Sequence, residues 1–393
     1  MRRRSRKVIF VIFLVVFFIS APAVVLYTAG YRYDFGTGRI VQTGILSVSS
    51  TPKGAQILMD GTATGFSSPA VIKNVLPGDH RIRLEKTGYS SWEKVLPVTS
   101  RSTTFADDVV LFVEAEPALV RETPLFATGI NDSNGRAAYV RTEGEWTEVW
   151  TLDPATNADT LISRLPASRN QDVSVDWPFE TSVLSIRVSE NDKPLVQYVD
   201  ADTGAAVEQP DSGIDLSMLD DRVAVSHRDG DTNVVLAYVP LGTYETHPSP
   251  EGIITLVDVI RGRVILIRSQ GGDQPILLNA NASFWKWEPN GSRLLYSDGF
   301  DLHVYDAAAH SDLTVTRLSY AITGVAWDPG HAIVLYAHED GIYAVELDRR
   351  GERNTVRLAS GSNLGVMNVH RSTLYFFGTV NGKSGLFARP LER

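Results

Sequence analysis

Apolar residues follow two different patterns along the chain. Residues 8–29 contain no charged side chain, and Val8–Ile19 is apolar throughout. About 20 apolar residues in a helix are enough to cross the hydrocarbon core of a bilayer. Beyond residue 30 the apolar residues form short runs separated by Gly, Pro, Asn and Asp. Such runs predict β-strands joined by turns.

The apolar segment at residues 8–29 is predicted to be a transmembrane anchor. The segment before it, residues 1–7, carries five basic side chains, which favour a cytoplasmic location. The alternative is a signal peptide, because Ala21-Pro22-Ala23 has the small-x-small form of a cleavage site. Either interpretation places the body of the protein outside the cytoplasm, and the first makes it single-pass in the cell membrane.

Residues 30–43 are interpreted as a juxtamembrane linker, and residues 44–114 as a small β-sandwich. Asp60-Gly61 and the turn at Pro77-Gly78 separate short apolar runs, which is typical of hairpins. The predicted strands are Ile45–Ser49, Ala55–Met59, His80–Glu85, Trp92–Thr99 and Phe105–Val113. Five or six short strands in one segment favour a sandwich.

Four short motifs follow one another in this segment: Ser50-Thr51-Pro52-Lys53-Gly54-Ala55, Met59-Asp60-Gly61, Leu76-Pro77-Gly78-Asp79-His80 and Lys86-Thr87-Gly88-Tyr89. Together they resemble the PEGA domain family. Lys53 replaces the Glu of the family tetrapeptide, and the loop 65–69 is one residue longer than the family pattern. The resemblance implies an extracytoplasmic β-sandwich without catalysis.

Residues 117–393 contain a loose repeat with a period near forty residues. Trp287, a turn and the strand Arg293–Tyr296 are echoed by Trp327, a turn and the strand Ile333–Tyr336. Repeated hairpins at this period are typical of a β-propeller. The Trp-x-Pro step resembles that of TolB-type and WD-repeat propellers. The interpretation is an all-β fold: a transmembrane helix, a PEGA-like sandwich and a propeller with seven units.

The seven units are each predicted as a two-strand hairpin. Trp177, Trp287 and Trp327 are expected to pack between blades, and residues 119–128 to complete the last blade. The paired segments are Arg136–Arg141 with Glu148–Asp153, Val183–Ser189 with Leu195–Asp200, Arg222–His227 with Val234–Pro240, Arg263–Ser269 with Ile276–Ala280, Leu294–Ser297 with Asp301–Asp306, Ile333–His338 with Gly341–Leu347, and Thr373–Gly378 with Ser384–Pro390.

Charge and composition narrow the classes of function. After the first seven residues the chain has 32 basic and 46 acidic residues, and a body this acidic is not expected to bind nucleic acid. The chain has no cysteine, which excludes disulfides and thiolate sites.

No metal, cofactor or catalytic residue is predicted. Gly361–Gly365 lacks the Ser of a nucleophile elbow. The loop that begins at Asp229 lacks the Gly and Glu of an EF-hand, having Val234 and Pro240 there. None of the eight histidines has the spacing of a close metal-ligand pair: His80, His227, His247, His303, His310, His331, His338 and His370.

The predicted function is therefore binding or structural. The protein is expected to be held in the cell envelope through residues 8–29 and to present its propeller to a protein or a surface glycan. The alternative is an envelope hydrolase, lyase or cyclase with a site in the propeller funnel, because fold alone does not fix function. A sensor that signals across the membrane is a third possibility, although seven cytoplasmic residues are too few for an output domain.

Overall fold

A computed structural model describes residues 3–36, 38–168, 171–177, 182–190, 193–208, 212–229, 232–289 and 291–392. The chain divides into two compact units. Unit 1 contains residues 1–114 and the segment Asp348–Asn354, and unit 2 contains Ala115–Leu347 and Thr355–Arg393.

Helix α1 runs from Arg3 to Thr28, and Pro22 lies inside it. Its stretch Ile9–Thr28 has a mean hydropathy of 3.0 and is not buried against the rest of the chain. Length and composition therefore fit a membrane anchor or a signal sequence. Met1 and Arg2 of the predicted basic tail lie outside the described residues.

The predicted linker at 30–43 is a hairpin. Strand β1 (Tyr31–Asp34) pairs antiparallel with β2 (Arg39–Gln42). The guanidinium of Arg32 lies 3.7 Å from the centre of the Tyr27 ring, at the end of α1. The sequence interpretation missed these strands because their side chains are mostly polar.

Unit 1 contains two facing sheets. The strands are β3 (Gly44–Thr51), β4 (Gln56–Met59), β5 (Thr62–Ser67), β6 (Ala70–Val75), β7 (Gly78–Glu85), β8 (Trp92–Val98) and β9 (Thr103–Val110). One sheet has the order β6-β3-β9, with β3 and β9 parallel, and the other has the order β5-β4-β7-β8. All five predicted strands are present, and β5 and β6 were missed.

The core of this sandwich follows from alternation along its strands. Buried positions alternate with partly buried ones throughout β3, as expected for a strand with one face inward. Leu46 of β3 meets Ile57, Ile82 and Leu96 from the opposite sheet, and all four side chains are fully buried.

One lysine is buried in unit 1. The Lys94 side chain has no exposed surface, and its ammonium lies 3.1 Å from the carboxylate of Asp348. Burial alone would raise the pKa of Asp348, but hydrogen bonds from Arg350 and Lys94 outweigh burial and hold that pKa below its ordinary value. The segment Asp348–Asn354 is thus tied to β8, although it lies between two strands of unit 2 in the sequence.

The described residues of unit 2 form seven antiparallel sheets. Strand β10 (Ala118–Glu122) comes first in the sequence. Sheet 1 has β11 (Thr128–Ile130), β12 (Ala137–Glu143), β13 (Trp146–Asp153) and β14 (Ala158–Pro166). Sheet 2 has β15 (Gln171–Asp176), β16 (Val183–Glu190), β17 (Lys193–Asp200) and β18 (Ala206–Val207). Sheet 3 has β19 (Ile214–Met218), β20 (Arg222–Asp229) and β21 (Thr232–Pro240). Sheet 4 has β22 (Tyr244–His247), β23 (Ile253–Asp258), β24 (Arg263–Arg268) and β25 (Ile276–Asn281).

The remaining sheets continue the same pattern. Sheet 5 has β26 (Phe284–Trp287), β27 (Arg293–Ser297), β28 (Asp301–Asp306) and β29 (Ser311–Arg317). Sheet 6 has β30 (Gly324–Trp327), β31 (Ile333–His338), β32 (Gly341–Glu346) and β33 (Thr355–Ser360). Sheet 7 has β34 (Met367–His370), β35 (Thr373–Val380), β36 (Lys383–Pro390) and, beside β36, the early strand β10. Successive sheets of sequential antiparallel strands are the architecture of a β-propeller.

The seven predicted hairpins fall in seven different sheets, and each predicted pairing is present. The fourth hairpin, however, contains the third and fourth strands of its sheet rather than the second and third. The missed second strand, Ile253–Asp258, is buried at every position after the first, and its sequence does not alternate between apolar and polar residues.

Neighbouring sheets share hydrophobic cores, and the predicted positions of the tryptophans are confirmed. Trp327 belongs to a core built from sheets 5 and 6. Trp287 packs on a core from sheets 4 and 5, and Trp177 on one from sheets 1 and 2. The predicted additional strand of the last blade is β10, which pairs with β36.

Candidate binding funnel

The first strands of six sheets in unit 2 converge on one cavity, which we call the funnel. Its volume is about 710 Å³. Innermost strands of propeller blades face the central channel, so residues distant in sequence meet there. The lining includes Gly129 of β11, Asp176 of β15, His247 of β22, Phe284–Trp287 of β26, Val325 of β30 and Met367 of β34.

Aromatic side chains form much of the funnel wall. Trp177, Phe284, Trp285 and Trp287 are all partly exposed there. The Trp285 ring meets the His247 ring edge to face, with 4.9 Å between centroids. The Trp287 indole N–H donates to the Thr255 hydroxyl at 3.0 Å. The wall therefore offers fixed aromatic surface beside polar groups.

Trp177 differs from Trp287 in its hydrogen bonding. Its indole nitrogen is buried and has no hydrogen-bond partner among the described residues. The ring lies against Gly129, where an added Cβ would be 3.4 Å from Cδ1 of the indole. A buried donor without an acceptor raises the free energy of the folded state.

A second polar group in the funnel is held by an ion pair. The Lys286 ammonium lies 2.5 Å from the Asp132 carboxylate and donates to the carbonyl of Met367 at 3.1 Å. Asn368 donates to the carbonyls of Asn131 and Asp132, which fixes the loop after β11. Sheets 1, 5 and 7 are therefore joined through polar groups at the funnel.

The two funnel histidines favour the neutral form. Burial lowers the pKa of His247, and the nearby carboxylates of Asp176 and Glu245 oppose this only in part. Burial and the neighbouring Arg371 both lower the pKa of His370. Arg371 itself is exposed in the turn after β34.

Close packing of the innermost strands depends on glycine at one point. A Cβ built on Gly324 would lie 1.8 Å from the carbonyl oxygen of Gly365. Any side chain at position 324 would therefore push β30 away from the segment before β34. Gly324 and Gly365 both line the funnel, so its width depends on this contact.

No funnel residue was proposed as a site from sequence, although Trp177 and Trp287 were selected as packing residues. Of the eight histidines, His247 and His370 reach the funnel. Among the described residues, no group of three or more His, Asp or Glu side chains is arranged to hold a metal. In the loop that begins at Asp229, Gly230 and Asp231 lie outside the described residues.

Comparison with known families assigns part of unit 1. The PEGA domain family matches residues 43–110. This segment is similar to a PEGA domain. The match covers the two facing sheets β3 to β9 and confirms the resemblance seen in the four sequence motifs. No curated protein matches the chain.

Several solved structures resemble the chain at low similarity. One, titled as the mitotic checkpoint complex, has 11% identity and a TM-score of 0.46, and covers 70% of this chain and 90% of its own. Sqt1 of Saccharomyces cerevisiae has 12% identity and a TM-score of 0.41, covering 70% and 98%. A nidogen/laminin complex has 10% identity and a TM-score of 0.39, covering 65% and 90%. At such scores the likeness carries no functional information.

Proposed function

We propose that this protein is a membrane-anchored, extracytoplasmic binding protein whose propeller binds a partner protein at the funnel. The observation that carries the proposal is the funnel wall, which includes three tryptophans, among them Trp177, whose buried indole N–H has no hydrogen-bond partner among the described residues. The PEGA domain supports a location outside the cytoplasm, and α1 supplies the tether. The proposed division is a tail at 1–7, an anchor at 8–29, a linker at 30–43, a sandwich at 44–114 and a propeller at 117–393.

The orientation follows from the charges beside the anchor. Basic residues that flank a transmembrane helix stay in the cytoplasm, and five precede residue 8. A helix of this length and apolarity supports a location of the rest of the chain on the other side of the membrane.

A protein is the partner that the funnel lining favours. Tryptophan and arginine are enriched where protein partners bind most tightly, and the funnel lining includes Trp285 and Arg371. Rigid aromatic groups lose little conformational entropy on binding, and Trp285 is already fixed against His247. A carboxylate at the tip of a partner loop would be attracted by Arg371, which is exposed at the funnel.

The test is site-specific photo-cross-linking in the native membrane. A photoreactive aromatic amino acid replaces Trp285 in the full chain, and a matched variant carries it at Trp146, an exposed tryptophan outside the funnel. We expect a discrete cross-linked protein from position 285 that is absent from position 146.

Two results would contradict the proposal. Equal labelling from both positions would show contact without specificity. Labelling of a glycan alone, or turnover of a small substrate that the Trp285→Ala variant abolishes, would favour a glycan receptor or an envelope enzyme instead.

A further inference from the structure

The hairpin of β1 and β2 has one aromatic face and one charged face. Tyr33 lies directly opposite Ile40, and directly opposed residues of two paired strands project to the same side. Tyr31 and Gln42 share that side, because positions two apart in a strand point the same way. The other side carries Arg32, Asp34, Arg39 and Val41.

The aromatic face is exposed and ends in an aromatic tip. Phe35, directly after β1, is 90% exposed, and Tyr33 and Ile40 are 52% and 59% exposed. The rings of Tyr33 and Phe35 meet edge to face, with 5.1 Å between their centroids. A contiguous group of exposed apolar side chains, unlike scattered single ones, indicates a binding surface.

The charged face is turned towards the protein itself. The guanidinium of Arg32 donates to the backbone carbonyl of Tyr27 in the last turn of α1 at 2.8 Å. It also donates to the side-chain oxygen of Asn74 in β6 at 2.9 Å. Because Arg32 and Tyr33 project to opposite sides of the hairpin, the aromatic face points away from both of these contacts.

Both ends of the hairpin are held at the end of α1. Only Ala29 and Gly30 lie between α1 and β1. The side-chain amide of Gln42 donates to the carbonyl of Ala29 at 3.2 Å, and the backbone N–H of Thr43 donates to the carbonyl of Gly30 at 2.9 Å. The hairpin therefore lies at the level where the chain leaves the apolar helix.

That level corresponds to the headgroup layer of a bilayer. The apolar stretch Ile9–Thr28 has 20 residues. At 1.5 Å per residue it spans about 30 Å, which is the thickness of the hydrocarbon core. A helix that fills the core ends among the headgroups, where aromatic side chains are enriched. The exposed face of the hairpin has this composition.

We propose that the aromatic face of the hairpin binds the headgroup layer of the membrane that α1 spans. Phe35 and Ile40 reach the boundary of the acyl chains, Tyr33 lies among the headgroups, and Arg39 on the opposite face stays in water. This second contact holds unit 1 at the bilayer surface, which a single helix does not do by itself. The proposal rests on the anchor in the proposed function and not on the funnel.

The experiment measures the surroundings of single nitroxide labels on the full chain in vesicles of phosphatidylcholine and phosphatidylglycerol in equal amounts. The chain has no cysteine, so Ile40→Cys and Arg39→Cys each carry one label. These adjacent positions are both exposed and project to opposite faces, which makes them a matched pair. Oxygen concentrates in lipid, whereas a nickel chelate stays in water. We expect the ratio of oxygen to nickel collisions to be at least about threefold higher at position 40.

Removal of the aromatic tip should release the labelled face from the bilayer. Phe35→Ser in the chain labelled at position 40 should lower the collision ratio to the value at position 39, without a change in melting temperature, because Phe35 packs in no core. Phe66→Ser is the control, since Phe66 is a 49% exposed phenylalanine of β5. It should leave the ratio unchanged.

A third label at Val15→Cys, in the middle of α1, reports on the anchor separately. Equal ratios at positions 39 and 40, with position 15 shielded from nickel, overturn the hairpin contact and leave the anchor in place. An unchanged ratio in Phe35→Ser also overturns the hairpin contact. Shielding of position 40 from both reagents assigns the face to a second copy of the chain and overturns the membrane contact. Access of nickel to position 15 contradicts the anchor, and the hairpin proposal fails with it.

Discussion

The indole N–H of Trp327 donates a hydrogen bond to the backbone carbonyl of Lys286 at 3.0 Å. The bond joins sheet 6 to sheet 5 at the strand that carries the funnel lysine. The indole N–H of Trp287, at the equivalent position of the preceding repeat, donates a hydrogen bond to the hydroxyl of Thr255 in sheet 4. Trp177 has no such acceptor among the described residues. Trp327 and Trp287 therefore link neighbouring sheets through their N–H groups, and Trp177 does not do so among the described residues.

Replacing Trp327 by phenylalanine should reduce stability much more than replacing Trp177 by phenylalanine. Trp327→Phe removes the hydrogen bond to the Lys286 carbonyl and leaves a cavity at a residue that is 3% exposed, and should cost about 2–4 kcal/mol. Trp177→Phe removes an unpaired donor and should change stability by less than about 1 kcal/mol. Thermal unfolding of the two variants checks this. A larger loss for Trp177→Phe would mean that its N–H has an acceptor in the folded chain.

Glu148 should make sheet 1 sensitive to acid. Its carboxylate is 2% exposed and accepts bonds from Arg164, Trp150 and Arg141 on neighbouring positions of three strands. These bonds, led by that from Arg164, lower the pKa of Glu148 to about 2 from 4.5. Because the folded-state pKa is the lower one, the stabilisation is complete above pH 4.5 and is lost as pH falls towards 2.

The Glu148→Gln variant tests this pH dependence. It should be less stable than the wild type at neutral pH, and the difference should shrink between pH 4.5 and pH 2. Glu143→Gln is the control, since Glu143 pairs with Arg141 but is 69% exposed. Denaturant unfolding across this pH range gives the comparison. A stability difference between the wild type and Glu148→Gln that stays constant from pH 4.5 to pH 2 would show that this carboxylate does not cause the acid sensitivity.

Pairing of β10 with β36 should depend on Gly385. A Cβ at this position would lie 2.0 Å from the carbonyl oxygen of Arg121. Gly385→Ala should therefore force β10 away and cost about 2–3 kcal/mol. Gly382→Ala in the same hairpin meets no atom within 4 Å, so only its positive φ opposes the change, at about 1–2 kcal/mol. Equal melting temperatures of the two variants would show that β10 does not hold the last sheet.

The proposed topology predicts a one-sided labelling pattern. The chain has no cysteine, so a single introduced thiol is the sole target for a maleimide. A membrane-impermeant maleimide applied to intact cells should label Thr62→Cys, an exposed site in the PEGA domain, and not Ser5→Cys. Labelling of Ser5→Cys alone would show the opposite orientation. Absence of the first 23 residues from the mature protein would show that the segment is a signal peptide and not an anchor.

The fold was largely predictable because its main strands follow simple rules. Ile333–His338 is an apolar run that follows a turn and precedes a second strand, and its pairing with Gly341–Glu346 follows directly. Strands such as Thr62–Ser67 were missed because polar and exposed residues dominate them. Ile253–Asp258 was missed for the opposite reason, since burial on both faces removes the alternation that reveals a strand.

The residues that line the funnel were not predictable from sequence. Lys286 and Asp132 are 154 positions apart and meet because two sheets place their first strands at one cavity. Whether a buried polar group has a hydrogen-bond partner can be determined only from the packed structure. The N–H of Trp177, which has none among the described residues, is an example.

The proposed partner site in the funnel is tested most directly by the affinity of the protein captured from position 285 for a funnel variant of the full chain. Trp285→Ala should weaken binding at least about tenfold, as truncation of a central aromatic contact does. An unchanged dissociation constant for this variant, with Trp146→Ala as the control, would contradict a partner site in the funnel.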